Sequence, residues 1–450
     1  MTLRGDYPDR RSAWWMVLVL AFAGVVSVLD RTILNVIVDP VRADLGLSDI
    51  QISVLQGLAF GLFYATVGLP LGLTVDRYAR RSLVIAGIVV WSLATLVSGF
   101  AQSFEQLFAA RLLVGLGEAV LSPAAISLIA DLFPPTNRGR PISIFLMGQA
   151  AANGLGISVT SLVTDAAAGG YFANWPVVGA LAPWRVAFIA CGLAGVVVVI
   201  GLLPTREPVR RSTESTSGVL EQASGALQFI WLHRAIFVPL YLGFAVCFLA
   251  NYGAAAWNPT MLMRSFGVTR GELGAVLGPM MLIFSLVGPL IGGILVDAVM
   301  RRDDSLARFG ILVAAPLFII PAGVAALAPT AGFAMLLIAT SPAAVAVIGT
   351  TTLALLQSMA PPRMRGFAVA LTGLINTVIG ATIGPLLISV LTERVYGDPG
   401  SVGIAIVTVV VPALMLASGA YWWARKAVRE AVDRGSAPTG LLTEVGRTRG

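Results

Sequence analysis

Four ionisable residues lie inside long apolar runs of this 450-residue sequence. Asp30 and Arg31 are in the first run, and Arg111 and Glu118 are in the fourth. An ionisable group within a membrane-length apolar run is costly, so each is a candidate for a functional role with a partner. A carboxylate there can exchange a proton when its surroundings change between wet and dry, and a guanidinium can bind an anion.

The spacing of these four residues suggests different roles for them. We predict Glu118 as the proton-coupling residue and Asp30 as the second candidate. Asp30 and Arg31 point about 100° apart on a helix, so only one faces a cavity directly; we favour Arg31, which would hold charged Glu118 or bind an anionic group. Arg111 and Glu118 share a helix face roughly 10 Å apart and do not neutralise each other. The alternative is a structural ion-pair network that does not titrate.

Further polar residues in apolar runs are candidates for binding a solute. Each has the alternative role of a hydrogen bond between packed helices. The predicted substrate-binding residues are Arg31, Arg111, Asn35, Tyr64, Gln149, Asn153, Asn251, Tyr252 and Asn376.

Long apolar helices must position these side chains. With 57% apolar and 12% charged residues, a soluble globular protein is nearly excluded. Each of twelve apolar runs is long enough to cross about 30 Å of hydrocarbon. The runs lie near 14–38, 52–75, 83–101, 107–131, 141–164, 185–204, 236–260, 273–297, 308–328, 332–357, 367–391 and 402–424. The predicted fold class is an all-α polytopic membrane protein with twelve transmembrane helices in two six-helix bundles around a central cavity.

Basic residues are unevenly distributed over the connections. If both termini are cytoplasmic, the outer connections hold only Arg42, Arg185, Arg264, Arg270 and Arg394, which satisfies the positive-inside rule. The predicted organisation is an N-terminal bundle at 1–204, a cytoplasmic linker at 205–235, a C-terminal bundle at 236–424 and an unstructured cytoplasmic tail at 425–450. Within the linker, apolar residues at helical spacing predict an amphipathic helix.

The two halves of the sequence repeat. DLGLSDIQISVLQG at 44–57 matches SFGVTRGELGAVLG at 265–278 with a shift of 221, and DLFPPTNRGRPIS at 131–143 matches SMAPPRMRGFAVA at 358–370 with a shift of 227. Parallel repeats with a site between them are an architecture of secondary transporters, in which the halves rock about the site. The repeat therefore predicts alternating access.

Several motifs carry a family resemblance. GLTVDRYARRS at 72–82, with its copy GILVDAVMRRD at 293–303, resembles the inner-loop signature of the major facilitator superfamily. Other segments are similar to spinster-type transporters and their bacterial relatives: LDR at 29–31, RLLVGLGEAVLSPAA at 111–125, DLFPP at 131–135, WRVAF at 184–188 and NYGAAAWNPTMLMRSFGV at 251–268. This resemblance implies proton-linked or facilitated movement of amphiphiles such as lysophospholipids and sphingoid phosphates.

Charged residues near the inner surface are predicted to form a gate, and the resemblance implies contacts between neighbouring helix ends. Asp131 would pair with an arginine, and Ser358 at the matching position predicts a weaker second gate. A purely topogenic role for the arginines is the alternative. The predicted gating residues are Gly72, Asp76, Arg77, Arg80, Arg81, Asp131, Asp297 and Arg301.

These observations predict a proton-coupled secondary active transporter, and no enzyme, for an amphiphilic or anionic organic solute that is lysolipid-like or sphingoid-like by resemblance. The alternatives are a drug/proton efflux pump, an organic-acid/proton symporter and, from another class, a non-transporting receptor or scaffold. One histidine, two cysteines and no Gly-Lys-Ser/Thr phosphate loop predict no cofactor, no metal and no use of ATP. We expect a monomer in a bacterial inner membrane, with the solute and protons as partners and no nucleic acid.

Overall fold

The computed structural model describes residues 7–59, 61, 78–210, 219–300, 305–361 and 364–434. The described residues fall into two compact units, one within Met1–Glu214 and Thr269–Leu282, the other within Ser215–Val268 and Ile283–Gly450. The predicted site residues Tyr64, Gly72, Asp76, Arg77 and Arg301 lie outside the described residues.

The first unit is built from helices. They are α1 (Arg10–Val36), α2 (Val38–Leu45), α3 (Asp49–Ser53), α4 (Arg80–Ser98), α5 (Phe104–Glu118), α6 (Leu121–Leu132), α7 (Gly139–Ala168) and α8 (Pro183–Leu202). A π-helical turn at Val54–Leu58 continues α3. In the described part of this unit, α1 packs against α7 and α8, and α4 packs against α5 and α8.

Small residues allow α4 and α5 to pack closely. A Cβ atom on Gly117 would lie 2.6 Å from the backbone oxygen of Gly87 and 2.8 Å from the backbone nitrogen of Trp91. Trp91 itself is buried on the same contact. Glycine at 117 is therefore required for this separation of the two helices, which fixes the helix that carries Arg111 and Glu118.

The second unit is also helical. Its helices are α9 (Val219–Leu232), α10 (Arg234–Phe266), α11 (Arg270–Glu272, grouped with the first unit), α12 (Gly278–Met300), α13 (Ser305–Ala314), α14 (Ile320–Gly323), α15 (Ala331–Met359), α16 (Arg365–Ile375), α17 (Gly384–Val390) and α18 (Val402–Asp433). π-Helical turns at Leu273–Leu277, Asn376–Ile383 and Leu391–Tyr396 join some of them. The most extensive packing between two helices of the described part of this unit is between α10 and α18.

Eleven helical segments of the described residues are long and apolar enough to cross a membrane. Each overlaps one of the predicted spans, and most of the remaining predicted span, at 52–75, lies outside the described residues. The prediction of an all-α polytopic membrane fold is confirmed.

The segment 269–282 belongs to the first compact unit, although the sequence-based division places it in the C-terminal bundle. Contacts with α7 explain the difference. The Ser158 hydroxyl donates to the backbone oxygen of Gly274 at 2.7 Å, and a Cβ on Gly154 would lie 2.4 Å from the backbone oxygen of Gly278. The start of this span therefore packs directly on α7.

The prediction of an unstructured tail from Arg425 is wrong as far as Asp433, where α18 ends. Val428 is fully buried, and the Arg425 guanidinium donates to the backbone oxygen of Leu306 at 3.2 Å. Alanine, arginine, lysine and glutamate in this segment have good helix propensity, and packing on α13 extends the last span beyond the apolar run.

Two connections have informative geometry. The linker forms helix α9 at the place where apolar spacing predicts one, and it leaves Leu227 and Trp231 exposed. Between α7 and α8, Val177 has φ +66°, a conformation that a β-branched residue rarely adopts. The Val178 amide donates to the Pro176 oxygen at 2.7 Å across this residue, which defines a tight three-residue turn.

Candidate functional site

Glu118, at the end of α5, is paired with Arg31 on α1. Arg31 Nε donates to Glu118 Oε2 at 2.6 Å, and the Ser27 hydroxyl donates to the same oxygen at 2.8 Å. Ser27 and Arg31 are four residues apart, so they share a face of α1, and Arg31 Nη2 also donates to the Ser27 hydroxyl at 3.2 Å. The predicted pairing of Arg31 with Glu118 is therefore present in the first unit.

Burial distinguishes the two members of this pair. The Glu118 side chain is 0% exposed, whereas that of Arg31 is 35% exposed. The second carboxylate oxygen, Glu118 Oε1, is buried and has no hydrogen-bond partner among the described residues. The site thus combines a desolvated acid with a cation that can be reached from outside the protein interior.

Asp30 and Arg111 form a second ion pair between the same helices. Arg111 Nη1 donates to Asp30 Oδ2 at 3.0 Å, and Arg111 Nη2 lies 3.4 Å from the Asp30 backbone oxygen. The two side chains are 1% and 0% exposed, respectively. Because neither can be reached by solvent or solute, this pair matches the alternative of a structural ion pair between the first and fourth predicted spans.

The two pairs divide the four charges by accessibility. Adjacent residues on α1 contact residues that are seven positions apart on α5, and the long arginine side chains make this possible. A proton on Glu118 would remove the negative partner of Arg31. The positive charge of the guanidinium would then no longer be balanced by Glu118, while the Asp30–Arg111 pair stays intact.

The other predicted substrate-binding residues on described positions form separate local contacts. In the first unit, Gln56 donates to Asn35 at 3.1 Å, and the Gln149 amide lies 3.3 Å from the Ser122 hydroxyl. Asn153 is exposed and donates to the backbone oxygen of Ala150 in its own helix.

In the second unit, Asn376 donates to the Tyr252 hydroxyl at 3.4 Å. Asn251, the repeat counterpart of Asp30, is half-buried on α10 beside Tyr252. The repeat positions of the charged pair are thus polar and uncharged in this unit, as the sequence shows.

Arg80, at the start of α4, is the centre of a dense polar cluster in the first unit. Its Nη1 lies 2.5 Å from Asp131 Oδ2 and 3.0 Å from the Ser127 hydroxyl, both on α6. Its Nε donates to Glu207 at 3.0 Å, and the arginine is 2% exposed. The sequence-based partner of Asp131 is therefore identified among the candidate arginines as Arg80.

Glu207 was not recognised from the sequence, although it follows the sixth predicted span directly. Its two carboxylate oxygens accept from the backbone amides of Arg80 and Arg81, at 3.2 and 2.7 Å. It therefore caps the N-terminus of α4 and also pairs with a side chain there. Arg81 donates to the backbone oxygens of Leu202 and Leu203 at the end of α8, so this cluster ties three helix ends together.

At the position of the second unit that matches Asp131, the residue is a serine. Arg308 on α13, 1% exposed, lies 3.4 Å from the hydroxyl of Ser358. The shift of 227 relates Ser358 to Asp131, whereas the shift of 221 at the inner-loop motif relates Arg81 to Arg302, so the repeat does not identify Arg308. Asp297 is exposed.

Residues 20–385 match the family described as Major Facilitator Superfamily. An "MFS-type efflux pump" of Mycolicibacterium smegmatis (strain ATCC 700084 / mc(2)155) is 30% identical over 429 residues, which cover 93% of this chain and 95% of the relative. "Protein spinster" of Drosophila melanogaster is 29% identical over 322 residues, 68% of this chain and 50% of the relative.

A crystal structure of a bacterial homolog to the human lysosomal transporter Spinster, in an inward-facing and unoccupied conformation, has a similar fold. Its TM-score is 0.77 at 24% identity, covering 94% of this chain and 98% of that one. The family match confirms the predicted superfamily and indicates a transporter embedded in a membrane rather than an enzyme, and spinster proteins are among the relatives that the chain resembles.

Proposed function

The chain belongs to the Major Facilitator Superfamily, and from this premise we propose that it is a proton-coupled secondary transporter of an amphiphilic or anionic organic solute. Alternating access would expose the binding site to each side of the membrane in turn. Both termini would be cytoplasmic, in a bacterial inner membrane.

One observation carries the proposal: the fully buried carboxylate of Glu118 lies 2.6 Å from the guanidinium of Arg31, whose side chain is partly exposed. A buried acid that only stabilised the fold would be expected to have a partner that is equally buried, as Asp30 has in Arg111. Glu118 instead has a partner that a solute can approach. This arrangement suits a group whose charge state changes during a transport cycle.

The proposed coupling follows from the shared use of Arg31. When Glu118 is ionised, Arg31 is neutralised by it, and a second anion gains little from the guanidinium. When a proton occupies Glu118, Arg31 keeps its charge and attracts the anionic group of the solute. Proton binding and anion binding thereby favour each other, which is the thermodynamic requirement for coupling.

The test is uptake into proteoliposomes under an imposed pH gradient, with lysolipids, hydrophobic cations and aromatic acids as separate substrates. Glu118→Gln keeps the shape of the side chain but cannot be ionised, so it should retain counterflow and lose proton-driven accumulation. Glu105→Gln, at an exposed position of the same helix, is the matched control and should behave as wild type. Unchanged accumulation with Glu118→Gln would exclude this residue from coupling.

Arg31 is tested separately through the charge of the substrate. Arg31→Ala should weaken binding of acidic substrates and leave neutral ones nearly unchanged, since only the former need the guanidinium. An equal loss for acidic and neutral substrates would indicate a packing defect. An absence of gradient-dependent flux for all three classes would favour a receptor or scaffold.

Drug efflux is the second candidate, because the relative that covers nearly this whole chain is named an efflux pump. It predicts transport of hydrophobic cations out of the compartment that contains the termini, in exchange for protons. Flux of aromatic acids together with protons would instead favour an organic-acid symporter. The three-substrate assay distinguishes these outcomes by substrate and by direction.

We also propose that the Arg80 cluster is the inner gate. Arg80, Asp131 and Glu207 join three helix ends at the predicted inner surface through charge-assisted contacts. In the second unit, Ser358 stands where Asp131 stands in the first, so the partner at this position would be a neutral hydroxyl instead of a carboxylate.

A further inference from the structure

A polar cavity of about 590 Å³ lies in the first unit where α1 and α7 begin. It is separate from both ion pairs described above. Its lining includes Arg10, Trp14, Phe133, Asn137 and Arg140. Arg10 is the first residue of α1, and Arg140 is the second residue of α7. Both helices are long and apolar enough to cross a membrane, so we expect a cavity at their first residues to lie near the lipid headgroups.

The charge of the cavity is positive. Arg10 and Arg140 are exposed, and neither guanidinium makes a hydrogen bond or ion pair within the described part of the chain. Two further basic residues, Arg11 and Arg138, lie within two positions of Arg10 and Arg140 in the sequence. The nearest acid along the chain, Asp9, accepts a hydrogen bond from the Arg11 amide at the start of α1. Two uncompensated guanidinium groups facing one cavity favour an anion with several acceptor oxygens.

The inner wall of the cavity is apolar. The rings of Trp14 and Phe133 meet edge to face, with centroids 5.3 Å apart, and Leu132 is buried beside them. Further along α7, Ile144 and Met147 share the helix face of Arg140, and Met147 is 46% exposed. The apolar surface at Met147 lies about 10 Å from Arg140 along α7, toward the membrane interior. An anion with an attached apolar chain could therefore contact both places on this helix.

From these features we propose that the cavity binds the phosphate group of an anionic glycerophospholipid from the leaflet in which α1 and α7 begin. Arg10 and Arg140 would hold the phosphate oxygens, Asn137 would donate a further hydrogen bond, and the glycerol backbone would rest on Trp14 and Phe133. The lipid would then bridge the ends of α1 and α7. A free phosphate ion is also anionic, but it has no apolar part that could contact Trp14 and Phe133.

The experiment measures binding to the full-length, lipid-depleted protein in detergent by calorimetric titration. Three ligands are compared: dihexanoylphosphatidic acid, dihexanoylphosphatidylcholine and inorganic phosphate. We expect phosphatidic acid to bind most tightly, because it combines net negative charge with acyl chains. Inorganic phosphate that binds as tightly as phosphatidic acid would overturn the lipid assignment in favour of a soluble anion.

Variants locate the binding. Arg10→Gln/Arg140→Gln should weaken phosphatidic acid binding by about tenfold or more, since charge-assisted hydrogen bonds are lost. The control Arg11→Gln/Arg206→Gln removes the same charge from exposed positions that do not line the cavity, and it should change the affinity less than twofold. Equal weakening in both double variants would overturn the site.

A further variant tests the site without removing either arginine, so its result does not depend on whether the arginine variants fold. Thr136→Glu adds a negative charge to the exposed lining while both arginines remain, and it should reduce phosphatidic acid binding to a similar extent. Wild-type affinity in this variant would contradict the proposal.

Discussion

The Asp30–Arg111 pair should dominate the stability of the first unit among its intramembrane charges. Both side chains are almost completely buried, and Asp30 Oδ1 already has no partner among the described residues. Arg111→Met replaces the guanidinium by an apolar chain of similar length and leaves the Asp30 carboxylate buried without a cation. Removal of one partner from a buried pair costs about 3–5 kcal/mol, and we expect a value in this range.

The matched comparison is Arg31→Met. Arg31 is 35% exposed, and Glu118 retains the Ser27 hydroxyl after the change. The expected loss is about 1–2 kcal/mol, because one charge-assisted hydrogen bond is removed and part of the site is hydrated. The structure therefore predicts a difference of about 2 kcal/mol between the two variants.

The assay is unfolding of the purified protein in mixed detergent micelles with increasing dodecyl sulfate, followed by tryptophan fluorescence. The double variant Asp30→Asn/Arg111→Met removes both charges, so it should recover more than half of the loss seen for Arg111→Met. Two results would refute the reasoning: a loss for Arg31→Met as large as that for Arg111→Met, or a double variant as unstable as the sum of its parts.

Three shorter predictions concern other parts of the first unit. Asp131→Asn should lower the free energy of unfolding by about 2 kcal/mol and speed opening at the inner surface, because buried Arg80 keeps only Glu207 as a carboxylate partner. Hydrogen exchange of the backbone amides at the start of α4 measures the opening. Unchanged exchange would exclude the gate. Gly117→Ala should cost about 1–3 kcal/mol, measured by the same unfolding assay, because the new methyl group meets the Gly87 backbone; no cost would mean that the helices separate freely. Val177→Gly should raise the thermal unfolding temperature through relief of about 1 kcal/mol at φ +66°, and a decrease would show that the turn is not strained.

The spans could be predicted from the sequence because membrane helices are defined by composition and length. Predicted and observed ends differ by only a few residues for most described helices, such as 14–38 against Arg10–Val36. The end of the last helix was missed because apolar composition stops near 424, while burial of Val428 and the contact of Arg425 are tertiary features.

The candidate site was predictable to the level of residue type and partly to the level of pairing. Charged residues within apolar runs can be recognised from the sequence alone. The pairing of Arg31 with Glu118 was predicted because Asp30 and Arg31 point about 100° apart on a helix and Arg31 was favoured as the residue that faces the cavity. The separate, buried pair of Asp30 and Arg111 depends on how α1 and α5 are rotated about their own axes, and these helices are far apart in sequence. No local pattern encodes that rotation.

Glu207 illustrates a second limit. In sequence it is one acidic residue in a polar connection, which resembles many solvated loop residues. Only the path of the chain after α8 brings it to the amides at the start of α4, where it accepts from Arg80 and Arg81. The free amides of a helix N-terminus bind whichever acceptor is close in space, so a capping residue that is distant in sequence cannot be recognised from a single sequence.

The balance of charge among Asp30, Arg31, Arg111 and Glu118 has an electrical consequence. In the ion-paired state the group has no net charge, so a membrane voltage does no net work when it moves as a rigid body. One bound proton makes the group a single positive charge, on which 100 mV across the full membrane exerts about 2.3 kcal/mol. A monoanion bound at Arg31 returns the net charge to zero. The empty carrier and the fully loaded carrier would therefore not respond to voltage, whereas the carrier that holds a proton without its solute would.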